Sequence, residues 1–104
     1  MEPLPPEVIE RLRPRLREER VGAGATIVRE GEPGDEFYVV LEGELEVTQE
    51  GRGRRRLLGP GDTFGEVSLA MGVMRTATVR ALTDVVLASC DRDTFDELVL
   101  PVFR

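Results

Sequence analysis

Histidine is absent from this 104-residue sequence, and cysteine occurs once, at Cys90. Without imidazole, neither the metal sites that enzymes on small barrel folds usually use nor triads with a histidine base can be built. A single cysteine also excludes an internal disulfide. Cys90 ends an apolar run that begins at residue 85, which predicts a buried structural thiol rather than a nucleophile. We therefore expect a protein that is not an enzyme and that holds no metal or cofactor.

Long apolar runs and a basic surface are also missing. No stretch approaches the ~20 apolar residues that span a bilayer, and the N-terminus is neither basic nor apolar enough for a signal peptide. The formal net charge is −6, whereas proteins that bind nucleic-acid backbones usually present a basic face. One basic cluster in a glycine-rich stretch is interpreted as a solvated hairpin tip: Arg52, Arg54, Arg55 and Arg56. We expect a cytoplasmic segment that contacts neither nucleic acid nor membrane.

The length and composition predict one globular domain over residues 1–104. A chain of this length suits a single domain, and 40% hydrophobic with 33% charged residues is typical of a soluble protein. Apolar residues recur at helical spacing over residues 6–20, and Pro14 interrupts them. We therefore expect a kinked helix or two short helices over residues 6–20.

Strand-like segments fill residues 24–90. Apolar or alternating runs bounded by glycine and proline turns predict strands at residues 25–28, 37–41, 44–48, 56–58, 77–81 and 85–88. A last short helix is expected at residues 92–100, capped by Asp91 or Asp93 and ended by Pro101. Many short strands with helices only at the ends indicate a mainly β fold, an antiparallel β-sandwich or jelly roll (a double-stranded β-helix).

The stretch at residues 64–79 interrupts the succession of predicted strands. Residues 67–71 can form one helical turn, whose first amides would point at an anion. Gly65 lets a ligand approach the backbone closely just before that turn. Arg75 offers a planar fork of donors to a phosphate, and Glu66 can accept hydrogen bonds from sugar hydroxyls. Together these residue types suit a phosphorylated sugar with a free hydroxyl.

The same stretch resembles the phosphate-binding cassette of the cyclic nucleotide-binding domains. That family includes the catabolite activator protein, protein kinase A regulatory subunits and cyclic-nucleotide-gated channels. The resemblance rests on Phe-Gly-Glu at residues 64–66 followed by Arg-Thr-Ala-Thr-Val at residues 75–79, within a cassette at residues 64–78. Further similar segments precede the cassette, at residues 29–35, 40–43 and 59–62. The resemblance implies the jelly-roll fold, with a short cassette helix and short flanking helices at both ends.

The resemblance implies cAMP or cGMP as the ligand and assigns a role to each residue of the cassette. Glu66 would bind the ribose 2′-hydroxyl through its carboxylate, with the backbone of Gly65 near the same sugar. The backbone amides around Val67 and Ser68 would face the cyclic phosphate, which Arg75 would neutralise. The complete implied ligand-binding set is Gly65, Glu66, Val67, Ser68, Arg75, Thr76 and Ala77.

Several of these assignments have alternatives. Thr76 would contact the phosphate or the base through its backbone amide or its hydroxyl. Threonine occurs at this place in family members that bind cAMP and in members that bind cGMP, so both nucleotides stay open. Glu66 could instead cap the helical turn, and Arg75 could pair with Asp62 or another surface acid. Ser68 departs from the small apolar residue common in the family, and its implied role is through the backbone.

The resemblance implies a regulatory or sensor module, a fragment or subunit of a larger signalling or transcription-regulatory protein. An attached effector domain or a partner protein would carry the response to the nucleotide. The family usually follows its last sandwich helix with a longer helix that covers the base, and the resemblance stops at Arg104, where that helix would begin. The alternative is a structural or interaction module of the same fold that binds no nucleotide.

Overall fold

Two four-stranded antiparallel sheets form the protein in the computed structural model, which describes residues 4–103. The strands are β1 (Arg17–Val21), β2 (Thr26–Val28), β3 (Glu36–Glu42), β4 (Leu45–Gln49), β5 (Gly53–Leu58), β6 (Thr63–Phe64), β7 (Thr78–Ala81) and β8 (Val85–Asp91). One sheet has the order β1-β8-β3-β6 and the other β2-β7-β4-β5. The predicted mainly β sandwich is thereby confirmed. Residues 1–3 and 104 of the predicted domain lie outside the described residues.

Short helical segments flank and interrupt the strands. They are α1 (Pro6–Leu12) with a 3-10 turn (Arg13–Arg15), α2 (Glu66–Met71), and α3 (Arg92–Thr94), which continues as a π-helical turn (Phe95–Val99) and a 3-10 turn (Leu100–Phe103). Within residues 4–103, no helix is long and apolar enough to cross a membrane.

The two central strands of the first sheet, β3 and β8, are covered on both faces. Tyr38 and Val40 of β3 point into the core between the two sheets, whereas Phe37 packs into a second core beneath the helices. The Phe37 ring lies 5.4 Å from that of Phe95 in this second core. Because side chains alternate along a strand, a strand buried on both faces is apolar throughout. The interpretation of residues 37–41 as a core strand is confirmed.

The helix expected over residues 6–20 is wrong in its second half. The α-helix ends at Leu12, and a 3-10 turn that contains Pro14 leads out of it. The following residues form β1, which pairs with β8 in continuous register from Arg17↔Ser89 to Val21↔Val85. The sandwich therefore begins at Arg17, before the predicted start at residue 24. Four of the five residues of β1 are exposed, so no apolar alternation identifies this edge strand in the sequence.

The C-terminal helix begins as predicted and ends later. Asp91 is the cap, since its Oδ1 accepts a hydrogen bond from the Thr94 backbone N–H at 2.8 Å. The helical path does not stop at residue 100: Pro101 lies inside the 3-10 turn that runs to Phe103. Proline is tolerated at the start of a helical turn, where its missing N–H has no partner to lose.

Candidate functional site

A cleft lies between the inner face of the sheet β2-β7-β4-β5 and the segments on either side of α2. Each strand of that sheet contributes one wall residue: Val28, Val79, Val47 and Arg56. The empty space in and at the mouth of the cleft is about 520 Å³, which includes solvent on its open side. All seven residues of the set implied by the sequence line this one cleft: Gly65, Glu66, Val67, Ser68, Arg75, Thr76 and Ala77.

Two glycines set the position of α2. Gly65 precedes the helix in a left-handed conformation, with φ of 96°, and a Cβ there would lie 2.8 Å from the Glu36 carbonyl oxygen. Only glycine combines this backbone with so close an approach. Gly72 ends the helix with φ of 65°, and its N–H donates to the Ser68 carbonyl. The helix is thus short and held close to β3.

The Arg75 guanidinium is held inside the protein by neutral oxygen atoms. Arg75 is 7% exposed, and its Nη1 donates to the Gly65 carbonyl at 3.1 Å and to the Ser68 hydroxyl oxygen at 2.9 Å. Its Nη2 donates to the Glu36 carbonyl at 2.9 Å. These three acceptors come from the residue before α2, from α2 itself and from β3. The plane of the guanidinium is therefore fixed before any ligand is present.

The loop between β2 and β3 fixes the backbone of Arg75 and leaves room for its side chain. The Arg75 N–H donates to the Glu32 carbonyl, and the Arg75 carbonyl accepts from the Gly31 N–H, both at 2.8 Å. A Cβ at Gly34 would overlap Nε and Cζ of Arg75. Gly34 is therefore part of the site, although it lies some forty residues before Arg75 and was not in the ligand-binding set implied by the sequence.

Arg75 carries a buried positive charge without a counter-ion. Burial lowers the pKa of its guanidinium, and the neighbouring Tyr38 and Glu36 offset part of that shift. No carboxylate of residues 4–103 forms an ion pair with it. The alternative pairing with Asp62 does not occur, since Asp62 accepts from the Gly59 N–H at 2.8 Å. A buried unpaired charge is unfavourable, so an anion in the cleft would be stabilised.

Glu66 lines the same cleft and has a carboxylate oxygen that lacks a hydrogen-bond donor among the described residues. Its Oε2 is buried and has no hydrogen-bond partner among the described residues. A carboxylate oxygen can only accept hydrogen bonds, and a buried acceptor left without a donor destabilises the state that contains it. If Glu66 only capped the helical turn, this oxygen would still lack a donor. A ligand hydroxyl would supply one.

The remaining residues of the set differ in what they present to the cleft. Ser68 is 3% exposed, and its hydroxyl oxygen accepts from Arg75, a side-chain contact that the sequence interpretation did not include. The Val67 side chain is 40% exposed. Thr76 is exposed, and its carbonyl accepts from Gln49 Nε2 at 2.8 Å, so the end of the cassette is tied to β4. Ala77 is half-buried.

The basic cluster is not simply a solvated hairpin tip, which corrects the interpretation from sequence. Arg52 is exposed in the turn between β4 and β5, as expected. Arg54, however, pairs with Glu46 at 2.9 Å on the outer face of the sheet, where Arg80 binds the other oxygen of the same carboxylate at 2.8 Å. Arg56 lines the cleft. The bulge between β4 and β5 turns Arg54 and Arg56 to opposite faces.

Cys90 lies in the second core and is 3% exposed. Burial raises the pKa of its thiol to about 11, so the thiolate is scarce at neutral pH. The prediction of a buried structural thiol is confirmed. Among residues 4–103 no group of three or more histidine, cysteine, aspartate or glutamate side chains is placed to hold a metal ion.

The fold is that of a small β-sandwich domain, and a buried guanidinium and a buried carboxylate oxygen line its cleft. Comparison with known families makes the class specific. The model of the cyclic nucleotide-binding domain matches residues 18–100. The chain belongs to the cyclic nucleotide-binding domain family.

Relatives with both nucleotide preferences match this chain. The cAMP-dependent protein kinase regulatory subunit of Schizosaccharomyces pombe is 42% identical over 77 residues, which cover 74% of this chain and 19% of that protein. The cGMP-dependent protein kinase egl-4 of Caenorhabditis elegans is 46% identical over 83 residues, 77% of this chain and 10% of that protein. The chain thus spans less than a fifth of the length of these relatives.

A ligand-bound structure shows the same architecture. The regulatory domain of Toxoplasma gondii protein kinase A in complex with cAMP superposes with a TM-score of 0.84 and 30% sequence identity. The match covers 95% of this chain and 39% of that chain. The resemblance to the family inferred from the cassette is confirmed.

Proposed function

We propose that this chain binds a cyclic nucleotide, cAMP or cGMP, in the cleft beside α2 and acts as the sensor part of a larger regulatory protein. One observation carries the proposal: an arginine and a buried carboxylate oxygen line the same cleft, and among residues 4–103 the arginine has no counter-ion and the oxygen has no donor. A cyclic nucleotide supplies a phosphate anion and a ribose hydroxyl on one rigid molecule.

The phosphate would lie against Arg75 and the first turn of α2. The guanidinium makes its three hydrogen bonds to neutral oxygens, so approach of an anion needs no existing ion pair to break. Hydrogen bonds between guanidinium and phosphate are shorter and stronger than neutral ones. The amides of Val67 and Ser68, at the start of the helix, would add uncharged donors. The roles of Thr76 and Ala77 at the other end of the cassette rest on the resemblance alone.

The ribose would lie against Gly65 and Glu66. Its 2′-hydroxyl would donate to Glu66 Oε2, the acceptor that lacks a partner in the described chain. Gly65 would allow the sugar to approach because it has no side chain. A nucleotide without the 2′-hydroxyl would leave this acceptor unsatisfied.

Arg56 favours guanine over adenine as the base. Its guanidinium can donate to both O6 and N7 of guanine, whereas adenine presents an amino donor where guanine has O6. We therefore expect both nucleotides to bind and cGMP to bind more tightly.

The family supports a regulatory rather than a catalytic role, and we propose that the chain has no enzymatic activity of its own. Kinase catalytic subunits or attached effector domains are the class of partner that the relatives suggest. Cytoplasmic localisation stays a prediction from the sequence.

Thermal unfolding with and without ligand tests the proposal. A ligand at 100 times its dissociation constant stabilises the folded state by about 2.7 kcal/mol, which should raise the midpoint of a domain of this size by roughly 10 °C. We expect such a shift with cGMP and cAMP and none with the acyclic 5′-monophosphates. If no cyclic nucleotide shifts the midpoint at millimolar concentration, the alternative of a sandwich that binds no nucleotide is correct.

A further inference from the structure

Ser68 lies where the ligand and Arg75 meet. It is in the first turn of α2, is 3% exposed and lines the cleft. Its hydroxyl oxygen is 2.9 Å from Arg75 Nη1. A guanidinium only donates hydrogen bonds, so the serine oxygen must be the acceptor in this contact.

The hydroxyl proton of Ser68 is available to donate a hydrogen bond. A serine hydroxyl has one donor in addition to its acceptor lone pairs, and no acceptor for that donor is found among the described residues. A buried donor without an acceptor is unfavourable. A phosphate oxygen that enters the cleft beside Arg75 would come within reach of this proton, since Ser68 and Arg75 are in direct contact and both line the cleft.

The other contacts of the guanidinium show what Ser68 adds. Nη2 has one acceptor, the Glu36 carbonyl, and Nη1 has two, the Gly65 carbonyl and Ser68. Without the serine oxygen, the Nη1 side would retain one bond, the longer of the two at 3.1 Å. The guanidinium would then be less restricted before binding and would lose more freedom when the ligand orders it.

We propose that the Ser68 side chain positions Arg75 in the free protein and donates its hydroxyl proton to the phosphate in the complex. This rests on the proposed function and adds to it a side-chain contact beyond the backbone amide that the cassette implies. Ser68 thus does not merely replace a small apolar residue. It makes the affinity for the phosphate depend on a hydroxyl.

Two measurements on Ser68→Ala test the proposal. By titration calorimetry, cAMP and cGMP should both bind about tenfold more weakly than to the wild-type protein, the effect of losing one hydrogen bond to a charged group. The matched control is Ser89→Ala, which removes the other serine of the chain, a buried residue of β8 that does not line the cleft. It should leave both affinities within twofold.

The second measurement needs no ligand. In the free protein, the side-chain NH resonances of Arg75 should shift and exchange faster with solvent in Ser68→Ala, but not in Ser89→Ala. If Ser68→Ala does not fold, Ser68→Cys keeps the volume and weakens only the hydrogen bonds, and the same outcomes apply. Wild-type affinity in either variant, or unchanged Arg75 resonances, would overturn the proposal. Absence of binding to the wild-type protein would instead refute the proposed function, and the Arg75 resonances would still decide whether Ser68 positions that side chain.

Discussion

Replacing Glu66 by glutamine separates the ribose contact from every other effect of the site. The substitution keeps the size of the side chain and removes its charge. In the free protein Oε2 is buried without a partner, so a ligand hydroxyl would gain a hydrogen bond to a charged acceptor without displacing another. Hydrogen bonds to charged groups contribute about 1.5–3 kcal/mol, and neutral ones about 0.5–1.5 kcal/mol. The expected loss is therefore about 1–1.5 kcal/mol, or roughly fivefold to tenfold in the dissociation constant.

A second ligand makes this comparison specific. Removing the charge of Glu66 also changes the electrostatic potential at Arg75 and at the phosphate, but it does so equally for cAMP and for 2′-deoxy-cAMP. Titration calorimetry of both ligands on both proteins should show the fivefold to tenfold loss for cAMP alone, in addition to any change common to both. Glu36→Gln is the matched control, because Glu36 influences Arg75 but does not line the cleft, and it should affect both ligands alike. Equal losses for the two ligands in Glu66→Gln would refute the ribose role.

Three other predictions concern positioning, pH and the thiol. Gly34→Ala should weaken cyclic-nucleotide binding at least tenfold, because the added Cβ would displace Arg75. Gly59→Ala should leave the affinity unchanged, because its Cβ would meet nothing within 4 Å. Equal affinities of the two variants by calorimetry would contradict the role of Gly34. The two arginines that bind Glu46 lower its pKa below the ordinary 4.5, so it stabilises the fold above that pH, and the contribution disappears as the pH falls through the folded-state pKa. Urea unfolding should accordingly show Glu46→Gln to be less stable than wild type at pH 7, with the gap closing as the pH falls through the lowered pKa of Glu46. A gap that does not change with pH would contradict the pairing. At pH 8 a thiol reagent should modify Cys90 only as the protein unfolds, and rapid reaction of the folded protein would contradict its burial.

The strands that can be identified from the sequence are those whose pattern of apolar and polar residues reflects which of their faces are buried. β3 is apolar from residue 37 to residue 41 because two cores cover its middle, and β4 alternates because one of its faces is outside. β1 has the sequence Arg-Glu-Glu-Arg-Val and is defined by backbone pairing to β8 alone. An edge strand of this kind cannot be distinguished from a polar helix by its own residues.

The candidate site was predictable where it is local in sequence and not where it depends on distant chain segments. The seven residues of the predicted ligand-binding set fall within thirteen consecutive positions, 65–77, and all line the cleft. The acceptor at Glu36, the space left by Gly34 and the wall residue Arg56 come from three other elements. Only the topology brings them to Arg75 and the cleft. Spacing along the chain therefore found the residues at positions 65–77 that line the cleft, and it missed those from other elements that position Arg75 or complete the wall.

Binding of cyclic nucleotide to wild-type protein and to Arg75→Ala is the measurement that tests the central claim most directly. By calorimetry, wild type should bind one nucleotide per chain, and Arg75→Ala should bind about 100-fold more weakly, since it loses charge-assisted hydrogen bonds to the phosphate. Arg52→Ala, at the exposed hairpin turn, controls for loss of a positive charge and should bind as wild type does. The unfolding midpoint without ligand checks that each variant is folded. A folded Arg75→Ala that binds within twofold of wild type would show that the cleft beside α2 is not the nucleotide site.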